Sequence, residues 1–177
     1  MNINQKLLEK YNQLEKDNLA IISKIESFPV DLHDKKPTTD SWNIIQVLNH
    51  VKGAEEGTLG YIKKKLHFGG IPKADFTAPL RVLAMKTLLY SPIRYKMPAV
   101  LKQPSDQGSL ESIKTEWDEL RLKWRELINE FPEENQNLAV FKHPIFGRLK
   151  LNQAIDSMIA HQSHHEKQVN RILKAVS

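Results

Sequence analysis

Cysteine is absent from the 177 residues. That removes disulfides, zinc–thiolate sites, iron–sulfur clusters and a thiol nucleophile from consideration, so any metal must be held by histidine or carboxylate. No apolar run approaches the roughly 18 residues that a membrane span needs, and the stretch from Met1 to Asp17 lacks a signal peptide's apolar block. These absences place the expected address in the cytoplasm, with no membrane partner. Alternating apolar and polar residues long enough for a central sheet are also missing, as is any internal repeat. Strands are therefore expected to be short and peripheral.

What is present is helical periodicity. Leu7, Leu8, Tyr11, Leu14, Ile21, Ile22 and Ile25 recur at threes and fours between Ile3 and Phe28, the pattern of an amphipathic helix. Pro29 to Ser41 interrupts it. Asn43, with Gln46 three residues on, forms a capping box for a second helix running to about Leu66, and Trp42 is placed to staple against Val47. The segment from Phe68 to Ser109 holds five prolines and, at its start, Gly69 and Gly70, so it admits only short helices, Leu80 to Tyr90 the best of them. Ser109 caps a third long helix that carries Trp117 and Trp124 and stops at Pro132. An extended stretch from Leu138 to Leu149 precedes a last helix from Leu151 to about Ala175. Burying four such stripes together gives an all-α fold, a four-helix bundle in a single domain spanning residues 1–177, with an irregular proline-rich insertion between helices 2 and 3.

Lysine and arginine number 26 against 21 acidic residues, a net charge of +5. The excess is local: between Lys63 and Lys102 the only acid is Asp75. This basic face, around Arg81, Arg94 and Lys96, is ordinary solvated surface or neutralises a substrate carboxylate. Specific nucleic-acid binding is not expected, because no exposed aromatics or recognition helix accompany the charge.

Seven histidines are present: His33, His50, His67, His143, His161, His164 and His165. At about 100° per residue, His161 and His165 interrupt the apolar stripe of the last helix, near Ala154, Met158 and Val169, while His164 falls on a polar flank. Two imidazoles four residues apart can converge on one ion, and a third ligand must then come from another helix. His50, at the edge of the second helix's apolar stripe, is the natural source. Three neutral imidazoles leave coordination positions open, as a catalytic rather than a closed structural site requires. His33, His67 and His143 are assigned to solvated or structural positions. No general base stands out, since Glu55 and Glu166 project away from the expected site. A zincin peptidase is disfavoured because Gln162 stands where that motif needs a glutamate.

Three segments, Ser41 to His50, His143 to Leu149 and His161 to Gln168, together resemble the DinB/YfiT-like four-helix-bundle proteins that include bacillithiol-transferase-like metal-dependent hydrolases. The resemblance spans nearly the whole chain in order and spacing. It maps the family's three metal-binding histidines onto His50, His161 and His165. It implies a nickel, zinc or iron-group ion, a homodimer and a small-molecule substrate. Members with a defined activity are thiol transferases, in which the ion activates a low-molecular-weight thiol such as bacillithiol for attack on an electrophile. The expectation is thus a hydrolase or thiol S-transferase; the alternative is a non-catalytic, stress-responsive metal- or ligand-binding module.

Overall fold

The computed structural model describes residues 2–91 and 103–177. Five helices dominate it: α1 (Ile3–Glu26), α2 (Ile44–Phe68), α3 (Ala78–Tyr90), α4 (Leu110–Asn129) and α5 (Leu151–Val176). Strands β1 (Phe141–His143) and β2 (Gly147–Leu149) form one short antiparallel hairpin, Phe141 opposite Leu149 and His143 opposite Gly147. The fold is all-α, as the periodicity indicates, and the four long helices begin and end within about two residues of the expected positions.

Local chemistry explains those ends. Asn43 accepts from the Gln46 N–H at 2.8 Å while the Gln46 side chain accepts from the Asn43 N–H at 3.2 Å, so two donors that α2 cannot satisfy internally are satisfied reciprocally. Ser109 and Ser112 do the same for α4. Gly147 supplies the positive φ, 72°, at which the hairpin turns back.

α5 is the central helix, packing against α1, α2 and α3, while α4 covers the far side of α1 and α2. The core runs between them through Tyr11, Leu14 and Ile25 of α1, Ile44, Leu48 and Ile62 of α2, Ile113, Trp117, Trp124 and Ile128 of α4, and Ala154 and Ile155 of α5. Each large side chain so buried contributes about 1.5–3 kcal/mol. Both tryptophans are fully buried core residues, as expected.

Within the described part of the proline-rich insertion, the expected short helix forms as α3. α3 lies along α5, tied by Lys86 to Asp156 at 3.2 Å and by Lys167 to the Tyr90 carbonyl at 2.9 Å. Arg81 pairs with Asp75 and donates to Thr77 Oγ1 and to the Arg148 carbonyl, fixing the start of α3 to β2. Arg81 is thereby committed to structure rather than held out for a substrate. Arg94 and Lys96, expected to share its role, lie outside the described residues.

Candidate metal centre

α2 carries His50 two turns past its cap, and the chain returning at residues 103–107 straps that end of the helix. Trp42 Nε1–H donates to Gln103 Oε1 at 3.0 Å, and Asn49 Nδ2–H donates to the carbonyls of Ser105 and Gln107 at 2.9 and 3.1 Å. α5 presents His161 and His165 on the face that meets α2. The three rings pack edge to face, with centroids 4.5 to 5.0 Å apart. His161 Nε2 lies 3.1 Å from His50 Nε2 and 3.1 Å from His165 Nε2. Among the described residues this is the one group of three or more such side chains placed to share an ion.

The protonation pattern decides what such a cluster can hold. Gln168 Oε1 sits 2.8 Å from His165 Nδ1 and can only accept, so that nitrogen carries the proton and His165 Nε2 is left as a lone pair. His161 Nε2 faces two other Nε2 atoms, and a single proton can bridge only one of them. The remaining contact at 3.1 Å is then left without a hydrogen bond of its own unless a cation lies between. Protons do not supply it readily. Burial lowers the affinity of all three rings for a proton, most strongly at His161, where the neighbouring imidazoles add to burial, and it takes His165 down to about 3. Two nitrogens that bind one ion at about 2.1 Å stand about 3.0–3.4 Å apart for angles between about 90° and 109°, so the observed spacing fits a shared divalent ion.

Other expected positions divide. His164 bonds the backbone of Leu89 on α3, and so stays outside the trio as its wheel position indicates. His143 closes β1: its Nδ1 accepts the Ile145 and Phe146 N–H groups at 3.1 and 3.2 Å, and burial lowers its pKa to about 4. His33 corrects the sequence reading. Instead of standing in a solvated connection it is 5% exposed, with Nε2–H donating to the Ile25 carbonyl at 3.2 Å, because the loop after α1 folds back onto that helix. Glu166 is exposed. Glu55 does point away from the histidines, yet it is buried against α1 and α4.

Two site residues escaped the sequence reading. Trp42, expected to pack on Val47, has its indole 5.2 Å from the His50 ring and 6.4 Å from His165, forming an aromatic wall to the cluster. Gln168 orients His165. Its spacing of three residues from a helical histidine was the available signal, since i and i+3 share a face.

The sequence profile of the DinB superfamily matches residues 13–169. An uncharacterized protein of Bacillus subtilis (strain 168), YuaE, is 26% identical over 146 residues, covering 81% of this chain and 84% of its own. No solved structure matches. None of the described helices is long and apolar enough to cross a membrane.

Proposed function

The chain belongs to the DinB superfamily, and from that membership and the geometry we propose that it is a metal-dependent enzyme in which His50, His161 and His165 hold one divalent ion. The observation that carries this reading is the convergence of three Nε2 atoms, one of them fixed as a lone pair by Gln168, in buried surroundings that disfavour protons. When bound, such an ion supplies Lewis acidity, lowering the pKa of a thiol or water brought to it. The protein's part is to hold the three rings, keep them neutral, and wall the site with Trp42.

Between thiol transfer and hydrolysis the residues favour transfer. Among the described residues no carboxylate belongs to the histidine cluster, so a hydrolytic water would lack a general base, whereas a low-molecular-weight thiol acidified by a cation needs none. The substrate is then a small electrophile, and bacillithiol is the kind of thiol the family likeness suggests. The same lack of a base supports the second reading, a non-catalytic metal-binding module of the stress response. A nickel, zinc or iron-group ion suits three imidazoles.

The test is elemental analysis of protein purified without a polyhistidine tag, followed by thiol consumption against a panel of electrophiles. One metal equivalent per chain and turnover abolished by His161→Ala support the enzyme. Stoichiometric metal without turnover favours the binding module, and turnover unaffected by His161→Ala overturns the proposal. The homodimer is supported by exposed apolar side chains in this region, Leu80, Leu83 and Tyr90 on α3 and Phe76 just before it; light scattering on Leu83→Glu checks it, with a monomer expected.

A further inference from the structure

The core contains a second set of polar side chains that the metal centre does not use. Glu55 stands five residues past His50 on α2 and is 2% exposed. Its Oε1 accepts from Asn18 Nδ2 of α1 at 3.0 Å and its Oε2 accepts from Trp117 Nε1 of α4 at 3.1 Å, so one carboxyl group joins three helices. Five further polar atoms are fully buried in the same region without a partner: Tyr11 Oη, Asn18 Oδ1, Arg121 Nε, Arg121 Nη2 and Trp124 Nε1.

These atoms line one seam. α1 and α4 run antiparallel, with Asn4 bonded to Asn129, Glu15 to Arg125 and Glu26 to Lys114, a register that sets Asn18 level with Arg121. The Tyr11 ring stacks on Trp124 with centroids 5.6 Å apart, and the Arg121 guanidinium lies 5.9 Å from the Trp117 ring. Each orphaned polar group is costly, and five together would rival the whole net stability of a domain. Donors dominate the set, so a small acceptor must answer them. Water has the right size and lone pairs, and a chain of this length ordinarily buries several molecules of it.

We propose that the seam between α1, α2 and α4 is a hydrated proton-exchange site, where ordered water bridges Glu55 and Asn18 to Tyr11, Arg121 and Trp124, and Glu55 takes up and releases a proton while the fold stays closed. One amide makes both states tenable. With Glu55 ionised, Asn18 Nδ2–H and Trp117 Nε1–H donate to its two oxygens. With Glu55 protonated, its O–H needs an acceptor, and a half-turn of the Asn18 amide brings round Oδ1, the atom now without a partner. The proton is exchanged with bulk solvent through the seam water, each molecule accepting one proton as it gives up another, so that no hydroxide is left behind.

The charged and titratable groups facing Glu55 are Tyr11 and Glu15 from α1 and Arg121, with Arg125 beyond it, from α4. Burial outweighs the opposing hydrogen bonds of Asn18 and Trp117 and the charge of Arg121, taking the carboxyl from 4.5 up to about 7. The sign follows: the folded protein holds this proton more tightly than the unfolded chain, so stability is full below pH 4.5 and declines as pH rises through about 7.

The experiment is a carboxyl-carbon NMR titration of the full chain labelled at glutamate, with a high-resolution crystal structure of the same protein. One glutamate should titrate near neutrality in a fold that stays intact, its signal absent from Glu55→Gln and its midpoint raised in Trp117→Phe, which loses a donor to the ionised form. Ordered water should bridge Tyr11, Asn18 and Arg121. Ordinary titration of every glutamate, or a seam without ordered water, overturns the proposal. Should Glu55→Gln fail to fold, the wild-type titration and Trp117→Phe decide alone.

Discussion

Gln168 touches no ion in the proposed reading, yet it fixes which nitrogen of His165 carries the proton. Replacing it with alanine should leave the helix intact and weaken divalent-metal affinity by about 10–100-fold, measured by competition with a chromophoric chelator. Unchanged affinity would mean that the tautomer is set by something else. The histidines also set a pH dependence for the metal-free protein. Their folded pKa values lie below the ordinary 6.5, so their contribution to stability is full above pH 6.5 and is lost as pH falls from there towards about 3, the value for His165. In Glu55→Gln, which removes the opposing carboxyl, stability from urea unfolding in the presence of chelator should therefore fall between pH 7.5 and 5, by up to about 1.4 kcal/mol per ring for each pH unit below 6.5. A flat profile would contradict the burial argument. The trio itself was legible in the sequence, because two positions share a helical stripe and a third sits at the edge of another. His33, Trp42 and Glu55 were not, since their partners are chosen by how a loop or helix docks, and no spacing along the chain records that.

At the scale of elements, helix ends were the most legible feature, because capping is local chemistry between residues three apart. Ser109→Ala removes the acceptor for the Ser112 N–H at 3.1 Å and should cost about 1 kcal/mol, read as a lower urea midpoint with unchanged slope. α3 was harder to place. Its apolar residues run around the helix without one clear face, and its orientation comes from Lys86, Lys167 and His164, which bind it along α5. α2 misled in a related way. A single-stripe reading allows one buried face, but α2 is packed by α5 on one side and α4 on another, so Glu55 can leave the histidine site and still enter the core. The strap at residues 103–107 bonds Trp42, which packs on His50, and Asn49, its neighbour on α2. Asn49→Ala, which frees it from Ser105 and Gln107, should weaken metal binding several-fold while leaving the far end of α2 unaffected, as hydrogen exchange along the helix would show.

For the whole molecule, a ligand bound only by the folded state adds stability by mass action. Divalent ion at 100 times its dissociation constant should contribute about 2.7 kcal/mol, so chelation should lower the melting temperature reversibly. A melting temperature indifferent to both metal and chelator would argue against a site formed by folding.

His50 and His161 are 111 residues apart, whereas His161 and His165 are separated by a single helical turn. The pair on α5 can form while that helix is still alone, but the third imidazole arrives only after most of the chain has closed on itself. A shared ion would therefore act as a late clasp, engaging after the slow loop closure that limits folding. Its effect should fall on escape from the native state: the folding rate stays constant with metal concentration, while the unfolding rate falls in proportion to occupancy.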